Sequence, residues 1–546
     1  MHQDSPDTVI RYRTGRRLRQ EEAQLMERLP ANYDEQVTPA LRWLTRAQVE
    51  RVHGASLEVL ERTGVEVQND EALRLSKDAG CLVDGRRVRI PGWLVEECLR
   101  LAPKRIVVAD RLGRRVMPLE KNRVYYGTGS DLPFTIDTAD GERRTSRKED
   151  VAAAARVMDN LPNYDFVMSY AIAADTDPAV SDLHQFEAMT ANSAKPVLFT
   201  AHNAANTEAV IEMAAACAGG LDRLRRNPYI VLYSEPISPL VHTADGVAKM
   251  FKCFEYDVPV VYTPGVLAGA STPVTKAGCV TLMNAEALAG VVMAQLKKKG
   301  APVIIGGGAT PMDMRTTATL YGAPETSMNY AVLTELARWY GLPNFTEAGC
   351  VNAPRPDIQA GVEAAVSILL THLEGCNLVH DVGYLEGGKT GYLPFLALCD
   401  DIIGMARYTA AGTRLDDEHL AVDCIDEVGP GGNFLAHDHT SRHFREEIWA
   451  PRLFLRYRWE QWEEKGRPTP LDLARARVEE ILQTHRAAPL PPGAFEAMRD
   501  IVGRRSREAG EGGTRCTANA VTVQGWPCEP WARNRSNGFT APVAAS

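Results

Sequence analysis

The sequence has no uninterrupted apolar run approaching the roughly 18 residues that a membrane-crossing helix needs, so no transmembrane helix is expected. Its opening stretch, MHQDSPDTVIRYRTGRRLRQ, lacks an apolar h-region, so a secretory signal is not expected there. An excess of positive charge is missing too. Lys and Arg number 61 against 70 Asp and Glu, a net charge of −9. That balance argues against nucleic acid or an anionic membrane as the main partner. No C-x-x-C pair occurs among the 11 cysteines, and their number is odd. Reduced thiols in a cytoplasmic protein are therefore expected rather than a disulfide frame. Zinc-ribbon and iron–sulfur spacings are likewise missing. Ser-His-Asp hydrolysis finds no G-x-S-x-G elbow, and the glycines Gly306 to Gly308 are not followed by a Walker Lys-Ser/Thr. Gly127-Thr128-Gly129 lacks the third glycine of a dinucleotide fingerprint.

What remains is a chain of 546 residues, 45% apolar and 24% charged, ample for a large core. Residues 1–40 are charged and irregular and read as a flexible arm. Residues 41–145 read as an N-terminal α+β domain. In it, Thr45 would N-cap a helix ending at Gly64, and Asp84-Gly85 would turn the chain into RRVRIP. Ser146 with Glu149 matches a capping box and opens the Ala-rich helix EDVAAAARVMDNL.

From there to about residue 445 the apolar runs DFVMSY, PVLFTA, YIVLYSE, VPVVYTP, APVIIGGG, NFTEAG and NLVHDVG alternate with helical stretches. Their continuous apolarity points to parallel strands covered by helices, hence a barrel of strand–helix units over 146–445. Only seven strands are evident; VDCIDEV is a candidate eighth. Residues 446–504 read as a C-terminal helical extension, and 505–546, rich in Gly, Pro, Ser and Asn, as a disordered tail.

Working groups in such a barrel emerge at the carboxyl ends of the strands. Those ends carry Tyr170, His202, Tyr233, Glu235, Tyr262, Thr263, Gly306 to Gly308, Glu347, His380 and Asp381. Polar residues after a strand are also ordinary loop composition, so the recurrence of ring and ionisable residues is what informs. Aromatic faces attract quaternary ammonium, although most such rings simply pack. Arg315 could meet a substrate carboxylate in a bidentate fork or pair with Asp313; the structural pair is the commoner outcome. His437, His439 and His443 are spaced so that imidazoles can converge. Without an H-E-x-x-H motif they read more simply as caps or partners of acids such as Asp438, and no metal is expected.

The segments VHGASLEVLERTGVEV, VYYGTGS, LYSEPISPL, TPGVLAGASTPVT, GGGATPMDMRT and GPGGNFLAHDHTSRHF, in this order, resemble the trimethylamine:corrinoid methyltransferase (MttB-like) family. The resemblance runs from about Leu44 to about Val502. It implies a TIM (β/α)8 barrel that moves a methyl group from a methylated amine to the cobalt of a separate corrinoid protein, with no cofactor bound tightly. The archaeal trimethylamine enzymes carry pyrrolysine in the barrel, at a position that would fall near 346–352; here that stretch reads TEAGCVN, all standard residues. Relatives without pyrrolysine include glycine betaine methyltransferases, so a quaternary amine is the expected methyl donor. Strand-end position and resemblance together assign Tyr126, Tyr233 and Tyr262 to the ammonium cage. Glu235 or Glu347 would supply negative potential, and His380 and Arg315 would bind a betaine carboxylate, with Glu347 and His380 as the catalytic pair. A homo-oligomer is expected. Three other readings remain open: a trimethylamine-type methyltransferase, another small-amine barrel enzyme that needs no corrinoid, and a non-catalytic barrel that binds a quaternary amine.

Overall fold

The computed structural model describes residues 40–511. The proposed arm falls outside this range except for its last residue, and so does the tail beyond 511. Residues 505–511, assigned to the tail, continue the helix Ala494–Glu511.

Short parallel strands form the barrel wall. In spatial order Val197–Phe199, Ile230–Ser234, Val260–Tyr262, Val303–Gly306, Asn344–Glu347, Leu378–His380 and Tyr125–Tyr126 are neighbours in one sheet. The last pairing is a correction to the boundaries drawn from sequence. The strand that follows Leu378–His380 around the wall is Tyr125–Tyr126, ahead of residue 146, whereas VDCIDEV forms the helix Val422–Val428. RVYYGTG reads as β-rich, but its place in the wall rests on partners more than 250 positions away. Residues 165–167 complete the ring. Asp165 and Phe166 donate backbone N–H groups to the Tyr126 carbonyl (2.6 and 3.3 Å), and Val167 bridges in parallel to Val197.

The closing seam is reinforced by charge. Asp165 is fully buried, and its Oδ2 accepts the Tyr126 N–H at 2.8 Å. Arg407, on the helix Leu393–Ala410, meets the same oxygen at 2.5 Å. A buried carboxylate is tolerable only when so matched.

Alternation along the strands sorts their side chains into two layers. Tyr125, Phe166, Leu198, Val231, Val261, Ile304, Phe345 and Leu378 fill the barrel interior. Ile106, Val108, Met117 and Leu119, from the hairpin Ile106–Ala109 and Arg115–Leu119, join the same cluster. The Ala109 N–H bonds the Pro228 carbonyl just ahead of strand Ile230–Ser234, so this hairpin seals the amino-terminal end of the barrel. The carboxyl-terminal mouth is walled by the paired segments Gly265–Ala268 with Gly308–Pro311, and Phe134–Ile136 with Thr390–Gly391.

In the N-terminal domain Thr45 caps the helix Arg46–Glu58 with Gln48 in a capping box, and Gly64 ends the following π turn at φ 73°. The Ala-rich helix is Lys148–Asn160, and its cap is one residue later than expected: Asp150, not Glu149, takes the backbone N–H of Arg147 at 2.8 Å. The helix Lys276–Lys297 is long and apolar enough to cross a membrane by composition. However, 78% of its most apolar window is buried against the barrel and the N-terminal helices, which makes it a core helix here. The C-terminal helices Pro470–Thr484 and Ala494–Glu511 pack on the barrel's outer helices through Ala474, Val478, Ile481 and Met498.

Replacing Arg407 by Ala removes the guanidinium that meets buried Asp165 Oδ2. Unfolding in urea should show a loss of about 3–5 kcal/mol; an unchanged midpoint would show that the seam does not depend on this pair.

Candidate active site at the barrel mouth

Strand parity decides which strand-end residues reach the mouth. Phe345 points inward, so Glu347, two residues on, does as well; Leu378 and His380 follow the same rule, as do Val231, Tyr233 and Glu235. These side chains meet. His380 stacks on Phe345 with ring centroids 4.2 Å apart and lies 6.0 Å from the Tyr233 ring. Its Nε2 is 3.6 Å from Glu347 Oε1, and its Nδ1 is 2.8 Å from Asp381 Oδ1, close in charge but outside hydrogen-bond alignment. The Tyr233 hydroxyl donates to Glu235 Oε2 at 3.0 Å, and Tyr330 donates to Glu347 Oε2.

The charge at this mouth is predominantly acidic. Asp131, held by Gln185 Nε2 at 3.2 Å and by Thr200 Oγ1 at 3.4 Å, adds a fourth carboxylate to Glu235, Glu347 and Asp381. Burial pushes the pKa of both Asp131 and Glu235 upward; for Glu235 the hydrogen bond from Tyr233 and the Lys249 charge oppose the rise. Burial opposes a charge on His380, yet Asp381 and Glu347 outweigh it and hold its pKa up at about 9. His380 is therefore an imidazolium at neutral pH.

Glycines let the backbone approach these carboxylates closely. A Cβ on Gly308 would come within 2.5 Å of Glu347 Oε1, and one on Gly129 within 1.6 Å of Asp381 Oδ1. The backbone is strained at the same rim: Asp381 and Tyr170 both sit at φ 63°, a conformation uncommon for a non-glycine residue. A small cavity beside Glu347 is lined by Tyr321, Tyr330, Ala348 and Cys350. Burial, with the charges of Asp381 and Glu347, pushes the Cys350 thiol well above its usual pKa, so it stays protonated.

Three residues assigned from sequence to the cage or the carboxylate lie elsewhere. Tyr126 and Tyr262 are one residue out of phase with the interior and face the helix layer. Each bonds a buried histidine through its hydroxyl and stacks on it: Tyr126 with His372 (3.0 Å, centroids 5.9 Å) and Tyr262 with His242 (2.8 Å, centroids 5.8 Å). Burial pushes both histidines down to about 3, so these are neutral anchors between wall and helices. Arg315 is exposed on the loop after Gly308–Pro311. Its backbone N–H bonds Asp313 Oδ1 at 2.7 Å, so the Asp313 carboxylate folds the loop through the main chain rather than through the guanidinium. His202 contacts Ser181 at 3.0 Å. Sequence reasoning missed Phe345, Tyr330 and Asp131. Phe345 was accessible from parity with Glu347, whereas Tyr330 comes from mid-helix Pro324–Tyr340, where spacing carries no signal.

A family profile described as trimethylamine methyltransferase (MTTB) matches residues 11–510. Trimethylamine methyltransferase MttB of Desulfitobacterium hafniense is 32% identical over 461 residues, covering 84% of this chain and 93% of that protein. The glycine betaine methyltransferase of the same species is 28% identical over 478 residues, covering 87% and 99%. Among solved structures, the monomethylamine methyltransferase MtmB of Methanosarcina barkeri aligns with 88% of this chain and 92% of its own, at 12% identity and a TM-score of 0.43. The chain belongs to the trimethylamine methyltransferase (MTTB) family and is an enzyme that transfers methyl groups.

Proposed function

We propose that the enzyme takes a methyl group from a small amine with a cationic nitrogen, a quaternary amine of the glycine betaine kind, and passes it to the Co(I) of a corrinoid on a separate protein. The observation that carries this reading is the convergence of Asp131, Glu235, Glu347 and Asp381 on a mouth walled by Tyr233, Tyr330 and Phe345. Such a site favours a cation twice over, by carboxylate potential in a poorly solvated cleft and by aromatic faces. A quaternary nitrogen leaves as a neutral tertiary amine, so the residues need supply no proton. Their task is to aim one N–CH3 bond outward and keep water away. Tyr233 and Phe345 flank the methyls, Glu347 and Glu235 hold the charge, and the His380 imidazolium receives a substrate carboxylate.

The corrinoid, when docked, supplies the nucleophile that accepts the methyl. The rim suits such a partner: Ile237, Val274 and Met314, on loops after three successive wall strands, and Ile358, which opens the helix Ile358–Glu374 after the fourth, are each more than half exposed. A Cβ built on Gly269 would touch both Val274 and Met314, so at least these two form one patch.

One observation favours a second donor. Four carboxylates face the His380 imidazolium and the Lys249 charge near Glu235, and that excess also suits a trimethylammonium ion with no carboxylate of its own.

The test is a thermal-shift screen of quaternary and tertiary amines, followed by methyl transfer to reduced cobalamin with the ligands that stabilise. At least one should bind and lose a methyl; if none does both, the reading fails. Glu347→Gln should lower kcat/KM for the active amine at least about tenfold, or 1.4 kcal/mol, and an unchanged value would remove Glu347 from the site. His380 has its folded pKa raised from the usual 6.5 to about 9. Its contribution to stability is therefore complete below pH 6.5 and is lost as pH rises through 9. Affinity for a carboxylate-bearing amine should fall over the same upper range, while tetramethylammonium binding does not. A His380→Gln variant should flatten both profiles, and equal pH dependence in the variant would refute the assignment.

A further inference from the structure

The segment after the last barrel helix is built differently from the rest. Residues 411–450 fold into the short helices Asp417–Leu420 and Val422–Val428 and the longer Asp438–Glu447, yet they bury almost nothing. Among their side chains only Cys424 is buried, while Leu415, Val422, Ile425 and Leu435 are all more than half exposed. Helices of four and seven residues do not hold their shape alone in water. A segment with so little core needs a staple of another kind.

The side chains that do converge here are metal-ligand types. His439 and His443 are four residues apart on one face of Asp438–Glu447, with ring centroids 4.4 Å apart. Glu418, from the neighbouring short helix, brings Oε1 to 2.9 Å from His443 Nε2. One ligand atom from each of Glu418, His439 and His443 lies within 4.8 Å of the others. His419 stands beside them, its ring 5.3 Å from that of His443. Asp416 accepts from His419 Nδ1 at 2.7 Å, the carboxylate–imidazole arrangement that orients a ligating histidine and leaves Nε2 with its lone pair. That Nε2 is buried and has no hydrogen-bond partner. Glu418 Oε1 is also met by the Arg442 guanidinium, His439 Nε2 contacts the Glu418 carbonyl at 3.0 Å and His419 Nε2 stands 3.8 Å from Glu447 Oε1, so an ion bound here would take these atoms over from the partners they now have. His437 is occupied otherwise: it caps the helix, contacts Cys424 Sγ at 3.3 Å and bonds Glu427 at 3.0 Å.

We propose that Glu418, His439 and His443 bind a divalent transition-metal ion of the zinc class, with His419 as fourth ligand, and that this ion pins helix Asp438–Glu447 to Asp417–Leu420. Imidazole with one carboxylate suits zinc in a closed, four-coordinate structural site. The ion then supplies the folding free energy that burial does not. The proposal is independent of the methyl donor, because it concerns the metal content of the folded chain and not its turnover.

The experiment uses tag-free full-length protein, incubated with zinc chloride, desalted and analysed for metal by mass spectrometry. The expected result is about one zinc per chain. His439→Gln/His443→Gln should fall to background, while the neighbouring His437→Gln retains the ion. Chelation of the wild-type protein should lower its Tm, and added zinc should restore it. Wild-type protein that holds no zinc after loading, or whose Tm ignores chelation, overturns the proposal. So does a double variant that holds as much zinc as the wild type. If that variant does not fold, the wild-type loading and chelation measurements decide the question alone.

Discussion

Side-chain alternation along the short wall strands is the constraint on which the rest of this structure depends. A residue that begins on the inside of the wall is followed inside two residues later, and in Asn344–Glu347, Leu378–His380 and Ile230–Ser234 that next inward position opens into the mouth. Phe345 therefore commits Glu347 to the site, and Leu378 commits His380. The same rule expels Tyr126 and Tyr262, whose immediate predecessors, Tyr125 and Val261, are the inward residues. Their hydroxyls meet buried neutral histidines on the outer side, and they fasten wall to helices. Residues of one chemical type thus do opposite work because of a difference of one position.

Parity delivers these side chains to the mouth, and glycines at the strand ends accommodate them. Gly308 and Gly129 lie where any side chain would strike Glu347 or Asp381, so they let the backbone pack close against these carboxylates without displacing them. Asp381 and Tyr170, at positive φ on the same rim, store strain that the surrounding packing holds in place. Sealing the opposite end with the Ile106–Ala109 hairpin leaves the carboxyl-terminal mouth as the working end. The acidic groups there act through a medium that screens them poorly.

Much of this was legible in the residues. The wall strands from DFVMSY to NLVHDVG announced themselves as continuous apolar runs, because strands covered by helices have no wet face to mark. Glu347, His380, Tyr233 and Glu235 were accessible as strand-end residues, and the structure brings them together. RVYYGTG reads as β-rich, but the place of Tyr125–Tyr126 in the barrel wall was not legible, since it rests on partners more than 250 positions away in the chain. Choosing among the tyrosines required knowing the parity of each strand to one residue, which propensity cannot supply. Arg315 illustrates a different limit: a charged residue after a glycine-rich strand looks functional in sequence, but the Asp313 turn holds its backbone and leaves the guanidinium in solvent.

Under the proposed reading, the acidic mouth makes the same demand of either methyl donor. A quaternary nitrogen is charged at any pH and departs neutral. A tertiary amine must stay protonated through the transfer, or it would have to leave as an amide anion; carboxylates nearby raise its pKa and keep the proton in place. In both cases the positive charge moves with the methyl over a few ångströms, so groups flanking the path attract the donor and the group in flight alike. Glu347 lies within the stretch TEAGCVN at the carboxyl end of strand Asn344–Glu347. A carboxylate fixed there by Tyr330 and paired across the mouth with His380 supplies electrostatics without electrophilic chemistry. That is sufficient when the leaving nitrogen already bears the charge it has to lose.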